Sequence, residues 1–253
     1  MLRLAFLSAY MSVKSIVRGL LRKLGWDLLR FSPARHPDAR LRHLLGLHHI
    51  GLVLDVGANT GQYGHSLREL GYTERIVSFE PLSSAFAKLQ TAAGRDEAWE
   101  ARRCALGGEA GEIELNIAGN SQSSSVLDML PEHTQALPSS RYVGKEKVPL
   151  RRLDDEFAAV RRDAGGVMLK LDTQGYELQV LAGGAATLAA AALVEVEMSL
   201  SPLYQGAPTF LELHQVLTGQ GFVMASIEPV FADPATGKLL QVDGIYLRRP
   251  ANA

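Results

Sequence analysis

Residues 51–64 read GLVLDVGANTGQYG, an apolar run that ends in an acid and passes at once into a glycine-spaced turn. The run reads as a buried strand, and Gly57 and Gly61 permit backbone conformations and close approaches that a side chain would obstruct. The turn makes room for a ligand. Asn59 stands where many dinucleotide-binding turns have a glycine, whereas a pyrophosphate favours three glycines and a seat on the following helix N-terminus. A nucleoside cofactor without phosphates fits better. Glu80, which ends the next strand-like run in SFEP, lies 19 residues beyond Gly61, close to the ~20-residue offset at which an acid meets ribose hydroxyls.

From this stretch onward strand-like and helix-like segments alternate. A helix is expected over 61–71, then the strand RIVSFEP, a helix in LSSAFAKLQTAA, one strand in AWEARRCAL and a hairpin strand in GEIELNIA. Residues 119–147 read as a long polar loop, of the length that usually serves function. Alternation resumes with a helix at LDDEFAAVRR, the strand VMLKLD, one helix through GYELQVLAGGAATLAAA, the strand LVEVEMS, a helix near 209–219 and strands in GFVMASIEPV and GIYLRR. Apolar strands alternating with helices imply an open, mostly parallel sheet covered on both faces, with ligands at the carboxyl ends of its strands. Four acids stand at such ends: Asp55, Glu80, Asp172 and Glu197.

The motifs LDVGANTGQY (54–63), SFEP (78–81), CALGG (104–108), RLDD (152–155), LKLDTQGYELQVLAGG (169–184) and EMSLSPLYQGAP (197–208) resemble those of the FkbM-type methyltransferases. The resemblance spans roughly residues 50 to 250; its first two motifs are shared by many methyltransferases, and LDTQGYELQVL and the PLY-G-P pattern are the distinctive ones. It implies a class I Rossmann-like α/β fold, a seven-stranded sheet with helices on both faces, and S-adenosylmethionine as cofactor. Asp55, Gly57, Asn59 and Gly61 would surround the methionine end, Glu80 would hold the ribose, and the region of Ala105 and Leu106 would line the adenine pocket. Gln62, Pro81 and Asp172 are counted with the cofactor-binding residues. The domain so defined is 46–250, preceded by a helical extension over 1–45.

A sulfonium methyl donor is already activated, so such a site chiefly aligns donor and acceptor and excludes water. An alcohol acceptor must also lose its proton to a nearby base. Asp172, Glu197 and His133 are the candidates, with Asp172 favoured because the helix after it is expected to open its free N–H groups toward the same crevice. His214 reads as structural, and Tyr204 either shapes an acceptor pocket or ties down its loop. No metal site is assigned; Asp172 with Glu197 is the pair a hard cation would use instead.

Composition narrows the partners. With 26 basic and 27 acidic residues the net charge is −1, which lacks the basic field of a nucleic-acid binder, and the single Cys104 excludes a disulfide framework. A cytoplasmic enzyme acting on a small molecule or glycan with a free hydroxyl is expected. Residues 1–31 depart from this balance, with Arg3, Lys14, Arg18, Arg22, Lys23 and Arg30 against Asp27 alone. Val17, Leu20, Leu21, Leu24 and Leu28 recur there at helical spacing. The pattern predicts a helix packed on the domain or on a second subunit of a homodimer, with docking of residues 1–30 on the inner face of a membrane as the alternative. Two other classes share the glycine turn. An NAD-dependent oxidoreductase or epimerase would add a third glycine and a Tyr-x-x-x-Lys pair, and a noncatalytic nucleoside-binding module would predict degraded strand-end acids.

Overall fold

The computed structural model describes residues 15–162 and 165–250. The chain divides into two compact units that part between Leu44 and Leu45. The first contains α1, helical over 15–23, and most of α2 (Pro37–Leu47). α1 is shorter than its sequence pattern: Leu24 and Leu28 lie beyond it, and Arg3 and Lys14 lie outside the described residues. Val17, Leu20, Leu24 and Leu28 are all exposed. Among the described residues no helix is long and apolar enough to cross a membrane.

The second unit is built on a seven-stranded sheet. Its strands are β1 (Ile50–Val56), β2 (Arg75–Phe79), β3 (Trp99–Arg102), β7 (Gly166–Leu171), β8 (Ala191–Ser199), β9 (Phe222–Ala232) and β10 (Leu239–Arg248). They run in the order β3-β2-β1-β7-β8-β10-β9, with β1, β2, β3, β7 and β8 parallel and β10 antiparallel to both its neighbours. The chain order reverses direction between β1 and β7, the switch point at which such sheets open a crevice. Valine and leucine fill β1, β7 and β8 because these strands are covered on both faces; Leu54, Leu169, Val194 and Val196 are fully enclosed. α3 (Gln62–Glu69) and α4 (Ser83–Ala93) connect β1, β2 and β3, as alternation requires.

Three local readings are corrected. AWEARRCAL forms β3 and then β4 (Ala105–Gly107), which leaves the main sheet and joins β5 (Gly111–Ala118) and β6 (Tyr142–Arg152) in a second sheet ordered β4-β6-β5. The stretch 119–147 is no open loop: it holds α5 (Pro131–Ala136), a short 3-10 turn (Pro138–Ser140) and the start of β6, and Asn116 and Met129 bridge to Ser125 and Tyr204. α6 (Leu153–Val160) forms within LDDEFAAVRR, and the single helix expected over GYELQVLAGGAATLAAA is two, α7 (Glu177–Ala182) and α8 (Ala185–Ala190), interrupted at Gly183 and Gly184.

The glycine turn after β1 does what its composition demands. Gly57, Asn59 and Gly61 all take positive φ, at 83°, 47° and 93°. The N–H groups of Gly57 and Ala58 both donate to the Phe79 carbonyl, which fastens the turn to the end of β2. A Cβ on Gly57 would lie 1.8 Å from the Asp172 carbonyl oxygen. Gly57→Ala therefore combines a left-handed backbone with a backbone overlap, and should cost about 3 kcal/mol or more. For a domain of this size that lowers the thermal midpoint by about 6–12 °C, measurable by circular dichroism.

Candidate active site

Two cavities meet beside the turn, and Gly57, Asn59, Asp172 and Gln174 line both. The narrower runs from the end of β2 to β4, between Glu80, Pro81, Ala105, Leu106 and Tyr176. Glu80 is 5% exposed, and its two carboxylate oxygens accept from the N–H of Asn59 at 2.9 Å and of Leu82 at 2.8 Å. These bonds fix the carboxylate at the cavity wall. Burial raises its pKa from the ordinary 4.5 to about 7, with the two N–H bonds opposing the shift. An acid held at one end of a slot with Leu106, Leu115 and Val126 along its walls fits a nucleoside, the hydroxyls toward Glu80 and the base between apolar side chains.

The second cavity, of about 410 Å³, has acids on its floor. Asp172 follows β7, Glu197 lies within β8, and Asp243 on β10 stands directly opposite Glu197 in the strand register. Gln174, at φ 54°, joins them: its amide nitrogen donates to Asp172 at 2.8 Å and to Glu197 at 2.7 Å, and its amide oxygen accepts from the Tyr204 hydroxyl at 2.7 Å. Gln241 gives Glu197 a second bond at 2.7 Å. Burial, together with the Asp172 and Asp243 charges, pushes Glu197 well above the usual carboxylate range. Burial and Asp172 likewise push Asp243 up to about 6.

Beneath these acids lies Lys170, enclosed in the sheet. Its ammonium is 3.0 Å from Asp172 and 4.0 Å from Asp55, and it lies over the Tyr63 ring, whose hydroxyl donates to Glu195 at 2.7 Å. Burial opposes its charge, but Asp172 and Asp55 outweigh that and hold its pKa above the ordinary lysine value. His133, on α5, reaches the cavity with a buried Nδ1 that has no hydrogen-bond partner, and burial lowers its pKa to about 4. Its imidazole is neutral at physiological pH.

Of the residues named from sequence, Gly57, Asn59, Glu80, Pro81, Ala105, Leu106 and Asp172 line the narrow cavity, and Gln62, His133, Glu197 and again Asp172 line the larger one. Two do not reach either. Asp55 is fully buried behind the turn, where it accepts from the Ser78 hydroxyl, itself bonded by the Trp99 indole. Gly61 caps α3, and a Cβ there would lie 3.1–3.2 Å from the Trp99 ring and Leu89. In the turn between Asp172 and α7 the Glu177 carboxylate accepts from the Thr173 and Gly175 N–H groups. Tyr204 ties down its loop, donating to the Ser123 carbonyl and to Gln174. His214 bonds Tyr246 away from both cavities. Sequence reasoning missed Lys170, Gln241 and Asp243. The only signal for the last two was their two-residue spacing in QVDG, which puts both on one face of a strand.

Among the described residues no three His, Cys, Asp or Glu side chains converge as metal ligands do.

A doubly wound sheet with an antiparallel β10, a glycine turn after β1 and an acid at the end of β2 defines a Rossmann-like methyltransferase fold. Residues 55–224 match the family model described as Methyltransferase FkbM domain, and the chain belongs to that family. The cofactor of that family is S-adenosylmethionine, as the sequence resemblance implied. A curated relative, the 2-O-methyltransferase NoeI of Sinorhizobium fredii, is 25% identical over 161 residues, covering 61% of this chain and 66% of that protein's length. Solved structures are more distant. An rRNA methylase from Streptococcus thermophilus is 10% identical with a TM-score of 0.44, over 85% of this chain and 98% of its own. Aeropyrum pernix fibrillarin bound to S-adenosyl-L-methionine is also 10% identical with a TM-score of 0.44, over 82% and 72%.

Three outcomes follow for the site. Glu80→Ala should weaken S-adenosylmethionine binding at least about tenfold while the fold persists, since charge-assisted bonds contribute roughly 1.5–3 kcal/mol. In the unaltered protein the affinity should rise between about pH 6 and about pH 8 as Glu80 ionises to accept from hydroxyls, and Glu80→Gln should flatten that slope in calorimetry. The ligand-free fold has the opposite sign: a carboxyl raised from 4.5 to about 7 stabilises it at low pH, and that contribution is lost as pH rises through about 7. Lys170→Met removes the one enclosed cation between Asp55 and Asp172 and should cost about 3–5 kcal/mol in urea unfolding.

Proposed function

We propose that the protein transfers the methyl group of S-adenosylmethionine to a hydroxyl oxygen of a sugar, in a glycan, glycolipid or other small polyhydroxylated acceptor. The observation that carries this reading is the junction of the two cavities at Gly57, Asn59, Asp172 and Gln174. A donor in the narrow cavity and an acceptor in the larger one meet there, which is the alignment an in-line transfer requires. The larger cavity supports a polyol: Asn120, Gln122, Ser123 and Gln241 offer amide and hydroxyl groups that can both donate and accept. The name of the curated relative, a 2-O-methyltransferase, supports the oxygen as target.

In this reading the cofactor, held by Glu80 and the slot beside Ala105 and Leu106, supplies an electrophilic methyl group. The chain's own residues orient the acceptor and take its proton. Asp172 is tied to Lys170 and Gln174 through both its oxygens, so it is placed to receive a hydroxyl bond in a fixed direction. Asp243 accepts no such tether, lines the cavity, and has a pKa raised by burial to about 6, which suits proton acceptance near neutral pH. His133 and Glu197 complete the wall.

The test incubates the enzyme with methyl-labelled S-adenosylmethionine and the methyl glycosides of fucose, rhamnose and mannose, with product read by NMR. O-methyl glycoside is expected; methyl transfer to nitrogen alone, or cofactor binding without transfer to any hydroxyl, overturns the reading. With an accepted glycoside, Asp172→Asn, Asp243→Asn and His133→Ala separate the proton acceptor from the wall. Loss of the base should lower kcat by about 10²–10⁴-fold with cofactor affinity nearly unchanged, and EDTA should leave the unaltered rate intact.

A further inference from the structure

We propose that residues 15–31 form a docking surface for an anionic lipid bilayer. The segment is folded into a hook. Beyond α1 the Gly25 N–H donates to the Arg22 carbonyl and the Trp26 N–H to the Leu21 carbonyl, the paired bonds of a helix that ends in a left-handed residue, and Gly25 has φ 82°. Asp27 then folds back on the helix. Its two oxygens accept from Arg18 at 2.6 and 2.8 Å and from Arg22 at 2.9 Å.

The hook displays what soluble surfaces normally hide. Leu24 and Trp26 are 73% and 72% exposed, and Leu20, Leu28, Leu29 and Phe31 all exceed half. Scattered apolar side chains on a surface are ordinary, but so dense a set within one short segment marks a binding surface. Charge selects the occupant. Over 15–31 the sequence holds Arg18, Arg22, Lys23 and Arg30 against Asp27 alone, and Asp27 is already shared by two of the arginines. A second copy would bring the same excess of positive charge against itself. A surface of anionic headgroups complements it, with Trp26, Phe31 and the leucines entering the acyl boundary and Lys23 and Arg30 meeting phosphates. The short α1 lies on such a surface rather than through it.

The full-length protein is sedimented with sucrose-loaded vesicles of phosphatidylcholine containing about a third phosphatidylglycerol, and with vesicles of phosphatidylcholine alone. Partitioning onto the anionic vesicles should exceed that onto neutral ones at least about tenfold and fall with added salt. The double variants Trp26→Ser/Leu28→Ser and Lys23→Glu/Arg30→Glu, exposed positions all, should each lose most of it while binding S-adenosylmethionine as before. No partitioning, equal partitioning onto both vesicles, or variants that partition undiminished would overturn the proposal. So would a dimer, seen by sedimentation equilibrium, that dissociates in the Trp26→Ser/Leu28→Ser variant. None of these outcomes depends on the acceptor, so methyl transfer is tested separately.

Discussion

An ammonium enclosed inside a parallel sheet is the constraint on which the rest of this site depends. Lys170 sits on the central strand β7, opposite Asp55 of β1 on one side and Glu195 of β8 on the other. Removing such charges from water is costly, and the arrangement holds only if each stays beside its counter-charge. Slipping either strand by one residue would turn its acid to the other face and leave the lysine with Asp172 of its own segment as its ion-pair partner, so the register of the three strands and the charge row specify each other. The row lies at the carboxyl ends of the strands. Below it the same strands carry only apolar residues, and above it the two cavities open.

From this row the constraint passes upward through short hydrogen bonds. Lys170 fixes Asp172, Gln174 binds Asp172 to Glu197, and Tyr204 binds Gln174 to the loop that carries Ser123. The Ser125 hydroxyl adds a bond to the Gln174 carbonyl, so the segment between β5 and β6 is sewn to the turn after β7 directly at Ser125 and through Tyr204 at Ser123. That segment contributes Gln122 to both cavities. A stretch polar enough to read as solvated loop is thereby converted into a shared wall. Its polarity serves internal bonds as much as water.

On the other side of the junction Glu80 links β2 to the glycine turn through the Asn59 N–H, while Asp55 anchors the carboxyl end of β1 through Ser78 and Trp99. The two acids therefore divide one task. Glu80 is the one at the cavity wall, and Asp55 holds the strand from which the turn departs.

The local sequence determined the fold class, because apolar runs alternating with helical segments admit few arrangements other than a covered parallel sheet, and because Gly57, Asn59 and Gly61 each need the left-handed backbone they show. It also placed Glu80 beside the turn, at a distance that follows from one βαβ unit. What it left open depended on contacts between segments far apart in the chain. Asp55 and Glu80 both read as strand-end acids, and only the packing of Trp99 and Ser78 buries the first while leaving the second at a cavity. Lys170 looked like an ordinary strand residue until Asp55 and Glu195 were placed on either side of it. Gln241 and Asp243, more than forty residues beyond Glu197, carry no local pattern that tells a binding face from a solvated one. They join the site because β10 inserts antiparallel between β8 and β9, and that choice of strand neighbour is made by the sheet as a whole.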